Sequence, residues 1–257
     1  MALAFLAGER RLRAMMTGGG FPCGHCRQFL CELAGVGSVD FLAARDQSVR
    51  NSMDVLLPGG FYPGYVSQAP TDKEGKEAGG TLFGDDAEQQ ELAASASDST
   101  LLARLANRHE TDDAESPTPP SLVLAAARAA IRSHAPYTRC RAGIALQLTS
   151  GEVVSGSSLE SVAFNPGLPP LQVALIALLS LAASSSTSSS TSSTAETLTT
   201  TIARVALVEA YGGETVALTS WEDRTSQLLA ALAPEARMDA FVLSPEAAAV
   251  ATPAPKI

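Results

Sequence analysis

Two cysteines three residues apart, Cys23 and Cys26 in Phe21-Pro22-Cys23-Gly24-His25-Cys26-Arg27, are the residues of this sequence most suited to chemistry. At i and i+3 in the first turn of a helix, both thiols can point at one soft cation. The free N–H groups and the dipole of that helix end favour thiolate over thiol. Zinc suits such ligands. Two thiolates leave a tetrahedral site half filled, so at least one further protein ligand is required. Two other readings use the same letters: a thiol redox site, since Cys-Gly-His-Cys at a helix start also suits disulfide exchange, and a pair of inert buried thiols. His25 lies between the cysteines, where its ring should point away from a metal that both bind. His109 and His134 stand elsewhere in the chain with nothing to pair them to the cysteines, and all three read as surface or structural histidines.

The elements that must position this pair follow from pattern. Met1 to Gly8 reads as the end of an apolar helix, Arg11 to Thr17 as a strand, and Gly18-Gly19-Gly20 as a loop. Cys26, Phe29, Leu30 and Leu33 recur at helical spacing, so the spacing predicts a helix over 23–33, stopped by Gly35 and Gly37. A strand over 38–43 and the turn Leu56-Leu57-Pro58-Gly59-Gly60-Phe61 follow. After an acidic stretch with one short helix expected over 101–108, a second block begins. It reads as a helix over 122–133, a hairpin of strands 143–149 and 153–155, and an apolar helix over 171–183. It closes with strand 202–209, helix 222–232 and strand 238–243. Helix, strand, loop, helix, strand is an order common to both blocks, and apolar strands separated by helices imply an α/β architecture.

Composition narrows the function classes. With 257 residues, 46% of them hydrophobic, the chain can bury a substantial core and is not a disordered protein. The longest apolar run, residues 171–183, is 13 residues and contains Gln172 and Ser180, too short to span a bilayer. The net charge of −9 argues against nucleic acid as the partner. That charge is local: residues 67–118 hold 12 acidic and 4 basic side chains, and the rest of the chain is nearly neutral. Four cysteines, Cys23, Cys26, Cys31 and Cys140, do not make a disulfide framework in a chain this long. They suit a reducing compartment. The expected location is the cytoplasm, with an organelle as the other option.

Pro22-Cys23-Gly24-His25-Cys26-Arg27-Gln28-Phe29-Leu30 resembles the zinc centre of cytidine deaminases, and Leu57-Pro58-Gly59-Gly60-Phe61 resembles the L-P-x-x-F element that follows it there. Pro136-Tyr137, Gly143-Ile144-Ala145-Leu146 and the run from Ser158 to Gln172 are similar to the C-terminal domain of the dimeric, two-domain members of that family. The resemblance covers about residues 1–66 and 119–245. It implies a three-layer α/β/α fold with two pseudo-repeated domains, the first incomplete. In that division, residues 1–66 are the C-terminal part of a catalytic domain and 67–118 an acidic linker. Residues 119–245 are a non-catalytic copy with a Ser/Thr-rich loop at 184–201, and 246–257 a tail. It further implies Zn2+ held by Cys23 and Cys26, a free nucleoside as substrate, and hydrolysis of the 4-amino group of cytidine or deoxycytidine in pyrimidine salvage. The implied assembly is a homodimer in which Ala163, Phe164 and Asn165 close the partner subunit's site. Phe164 packing its own domain's core is the plainer alternative.

Two departures from the family shape the expectation. The family's His-Ala-Glu segment, which supplies the third ligand and the proton-carrying Glu, would precede Met1, so no catalytic residue is assigned within 1–257. In the second block, Pro169-Pro170-Leu171-Gln172 stands where His-Ala-Glu-Gln would, and no Cys-x-x-Cys precedes the helix over 222–232. The expected protein is a deaminase whose reading frame extends upstream of Met1, with residues 1–257 alone inactive. The alternatives are a catalytically silent binding or scaffold protein of that fold and, more remotely, a thiol redox protein.

Overall fold

The computed structural model describes residues 2–62, 97–108, 117–185, 201–211 and 220–244, apart from positions 8, 10, 11, 18, 19, 34, 44, 45 and 165. Most of the acidic stretch, most of the Ser/Thr run, the tail and Asn165 therefore lie outside the described residues. The chain divides into two compact units, one of Met1–Glu91 with Leu159–Leu168, the other of Leu92–Ser158 with Pro169–Ile257.

In the first unit, α1 (Ala2–Leu6) precedes β1 (Ala14–Thr17), and α2 (Gly24–Leu30) leads to β2 (Asp40–Ala43), β3 (Asp46–Asn51) and α3 (Met53–Leu56). β1 and β2 pair in parallel, Ala14 opposite Asp40 through Thr17 opposite Ala43, so α2 lies on the crossover between them. β3 returns antiparallel on the other side of β2. Phe29, Leu30, Leu33, Phe41 and Met53 are buried. The helix expected over 23–33 is shorter at both ends. Cys23 is its N-cap, and beyond Leu30 the chain tightens into i→i+3 bonds, Cys31 N–H to Gln28 O, Glu32 N–H to Phe29 O and Leu33 N–H to Leu30 O. Gly35, at φ 69°, then reverses the chain into a single 3-10 turn, Val36–Ser38. Cys26 shares the spacing of the apolar stripe but is exposed.

The second unit contains α4 (Asp98–Leu102), β4 (Leu105–Asn107), α5 (Pro120–Ile131), β5 (Cys140–Leu148) and β6 (Val153–Ser157). It continues with α6 (Pro170–Ser185), β7 (Ile202–Tyr211), α7 (Trp221–Leu232) and β8 (Arg237–Leu243). Its sheet runs β4-β8-β7-β5-β6, antiparallel except for the β7–β8 pair. Burial alternates along the central strands. Ile144, Leu146, Val205 and Leu207 pack with Leu171, Leu178 and Leu229 of α6 and α7. Ala145, Ala206 and Val208 pack with Leu122, Val123 and Ala126 of α5. Period-two alternation thus places helices on both faces, a three-layer α/β/α unit. One expectation is corrected: the single helix over 101–108 is instead α4 followed by the edge strand β4, whose Leu105 pairs opposite Leu243 and Asn107 opposite Phe241.

Two glycines let helix backbones approach this sheet closely. A Cβ on Gly143 would stand 2.0 Å from Ala130 N, and one on Gly156 would stand 2.3 Å from Ala174 N. Gly143→Val should therefore force α5 off the sheet and lower unfolding stability by about 3 kcal/mol, the upper end of the usual overpacking cost. Urea denaturation followed by circular dichroism measures it, and a loss below about 1 kcal/mol would contradict this packing.

Candidate metal centre

The chain leaves β1 through Gly20, at φ 117°, and reaches the start of α2 at the buried Pro22. Cys23 takes the extended conformation of an N-cap, φ −64° and ψ 167°, and its Sγ accepts the Cys26 N–H at 3.5 Å. One turn brings the Cys26 thiol to 3.2 Å from Cys23 Sγ. Both thiols are free and exposed. Two sulfurs at tetrahedral positions around zinc, at the usual Zn–S length, stand about 3.8 Å apart. The pair therefore needs only a few tenths of an ångström to grip a soft cation, and a closure of more than an ångström to become a disulfide.

Electrostatics separates the two thiols. The Cys26 backbone N–H, together with the Cys26 thiol, pulls Cys23 below the ordinary thiol range. The hydrogen bond to Cys23, together with burial, pushes Cys26 up. Cys31 is pushed up to about 11 by burial and by the neighbouring Glu32 carboxylate. Its Sγ donates to Arg27 O at 3.5 Å, so it does not join the pair. Cys140 is buried in the second unit. In the metal-free chain, iodoacetamide near pH 7 should alkylate Cys23 first and leave Cys31 and Cys140 unlabelled. Peptide mass mapping reads this, and labelling of Cys31 ahead of Cys23 would contradict it.

Arg27 and Gln28 fix the pair against the turn that follows α3. Arg27 Nε donates to Pro22 O and its Nη1 to Leu56 O, each at 2.5 Å. Gln28 Nε2 donates to Phe61 O at 2.6 Å, and its Oε1 accepts the Phe61 N–H at 3.0 Å. The Cys-x-x-Cys segment and the Leu57–Phe61 segment, separate in sequence, thus form one structure. Of the histidines, His25 is exposed, His134 is buried in the second unit, where its N–H donates to Ser158 O, and His109 lies outside the described residues. Among the described residues no group of three or more His, Cys, Asp or Glu is arranged to hold a metal. The thiol pair fits zinc as two of four ligands.

Within the first unit, Phe164 is 70% exposed and its backbone is left-handed at φ 63°. It does not pack a core, and Ala163 beside it is half-buried. A non-glycine residue in that region costs roughly 1 kcal/mol or more, which the surrounding loop must compensate.

In the second unit, β7, α7 and β8 form a strand–helix–strand with parallel strands, as β1, α2 and β2 do in the first. The start of α7 is filled differently. Ser220 is the N-cap, with its Oγ accepting the Glu222 N–H at 3.1 Å. Glu209, 1% exposed, accepts the Trp221 N–H at 2.7 Å. Arg108 Nη1 stands 2.7 Å from Glu209 Oε2, 3.0 Å from Glu222 Oε2 and 2.8 Å from Ser220 Oγ. Sequence reading missed this cluster. Its one local signal was a glutamate inside the apolar run of β7.

A family model described as the cytidine and deoxycytidylate deaminase zinc-binding region matches residues 81–219, a range that contains neither Cys23 nor Cys26. The cytidine deaminase of Vibrio atlanticus is 38% identical over 155 residues, 60% of this chain and 40% of that protein. The cytidine deaminase of Sodalis glossinidius is 37% identical over 175 residues, 68% of this chain and 49% of that protein. The chain thus spans half or less of the length of these curated relatives. A solved cytidine deaminase of Burkholderia pseudomallei overlays 50% of this chain and 86% of its own at 20% identity, with a TM-score of 0.35. No helix among the described residues is long and apolar enough to cross a membrane.

Proposed function

The chain belongs to the cytidine and deoxycytidylate deaminase family, and from that premise we propose that it serves zinc-dependent hydrolytic deamination of cytidine or deoxycytidine, with Cys23 and Cys26 as two zinc ligands. The observation that carries the reading is the pair of exposed thiols, 3.2 Å apart at the start of α2, braced by Arg27 and Gln28 against the Leu57–Phe61 turn. Zinc, when bound, supplies a Lewis acid that brings a water's pKa toward neutrality. The residues of this chain do the holding. Cys23 and Cys26 bind, Arg27 and Gln28 keep their helix start in place, and Phe164 offers an aromatic face on which a pyrimidine base can stack.

In this reading residues 1–66 are the metal-binding part of the catalytic domain, 67–118 a linker and 119–245 a silent copy. The working assembly is a cytoplasmic homodimer in which Ala163, Phe164 and Asn165 of one protomer face the other's nucleoside. The exposure of Phe164 supports that role. Since the thiol pair is half a ligand set among the described residues, residues 1–257 alone should not convert cytidine to uridine.

The deciding experiment reads the codons in frame upstream of Met1 and assays the extended chain on cytidine and deoxycytidine. A His-Ala-Glu segment there, with turnover that Cys23→Ala abolishes, is the expected result. An in-frame stop directly upstream overturns it in favour of a silent binding protein of the same fold.

A further inference from the structure

Glu32 follows the C-cap of α2 by one residue and is wholly buried in the first unit. Its Oε1 accepts the main-chain N–H of Val162 at 2.6 Å, across 130 residues of sequence. Val162 stands two residues before Phe164 in the segment Leu159–Leu168, which belongs to the same unit. The base of that segment is closed by Leu159 N–H to Leu168 O at 2.9 Å and Leu168 N–H to Leu159 O at 2.7 Å. Its tip is turned by Phe164 N–H to Ser161 O at 2.7 Å. A carboxylate withdrawn from water persists only where hydrogen bonds compensate it, and a bond from N–H to carboxylate is stronger than one to a carbonyl. One short element thus bears the thiol pair at its start and, just past its end, the carboxylate that grips the Phe164 loop.

We propose that Glu32 is a positioning residue: through the Val162 N–H it pins the Leu159–Leu168 loop to the helix of Cys23 and Cys26, and so sets where Phe164 is presented. This rests on reading Phe164 as a substrate-facing group. Reach, rather than charge alone, makes the tether. Glutamine keeps an oxygen at the same distance from the backbone, whereas aspartate keeps the charge and withdraws the oxygen by one methylene.

Hydrogen exchange of the Val162 amide, measured on the full chain, tests the proposal. Glu32→Asp should accelerate exchange there about tenfold or more, and Glu32→Gln by less than about threefold. Amides of β5 and β7 should keep their protection in both, which shows that the fold is intact. In a Trp221→Phe background, a single reporter introduced by Phe164→Trp should lose fluorescence anisotropy with Glu32→Asp and keep it with Glu32→Gln. Unchanged Val162 exchange in Glu32→Asp, or equal acceleration in both variants, overturns the tether. Zinc content is measured in parallel. The tether is read from the Asp/Gln difference alone and the metal reading from zinc bound by the upstream-extended chain, so failure of one is told apart from failure of the other.

Discussion

Arg108→Met should destabilise the second unit by about 3–5 kcal/mol, the usual cost of leaving one member of a buried ion pair without its partner. Glu209 is 1% exposed and lies 2.7 Å from the guanidinium, so the substitution takes the neighbouring positive charge from a carboxylate that water cannot reach. Ser220 and Glu222 lose the same donor. Trp221 stands beside them and reports the change through its fluorescence during urea denaturation. Adding Glu209→Gln to Arg108→Met should recover most of the loss, because the buried charge goes with it. A loss below about 1 kcal/mol in the single variant, or no recovery in the double, would show that the pair is not what holds the start of α7.

Replacing either Cys23 or Cys26 by alanine should lower zinc affinity of the full chain by more than about a hundredfold. Loss of a mere supporting contact around a metal already costs up to that much. Competition with a chromophoric chelator measures it. Binding zinc releases thiol protons, so affinity should fall as the solution is acidified. Cys23, held below the ordinary thiol value by the Cys26 N–H, keeps its thiolate furthest into acid. Cys26, raised by its hydrogen bond to Cys23, sets the upper limb, and affinity should still be climbing as pH passes through the ordinary thiol range. A metal-free chain isolated with a reversible Cys23–Cys26 disulfide, 2 Da lighter on intact mass, would favour the redox alternative instead.

The second unit was legible in the sequence because its strands are strongly apolar and its helices long. The predicted strand over 202–209 and helix over 222–232 meet β7 and α7 within two residues at either end. The polar strand β3, Asp-Gln-Ser-Val-Arg-Asn, had no apolar alternation to reveal it. Leu105–Asn107 is a strand only because β8 lies beside it. In the candidate site, Cys23 and Cys26 were legible because their partnership is local, three residues apart. Glu32 and Arg108 were not, since their partners lie 130 and 114 residues away and only folding joins them. A lone charge in a sequence looks solvated until the chain closes over it.

Gly156 has a mechanical meaning beyond packing. It sits at the end of β6 against Pro170 O and Ala174 N, at the opening turn of α6. The strand entering the Phe164 loop and the helix leaving it are therefore clamped to each other, main chain to main chain. The spacing between those two stems is thus set by the absence of a single methyl group, and any side chain at position 156 would be felt as a splaying of β6 from α6.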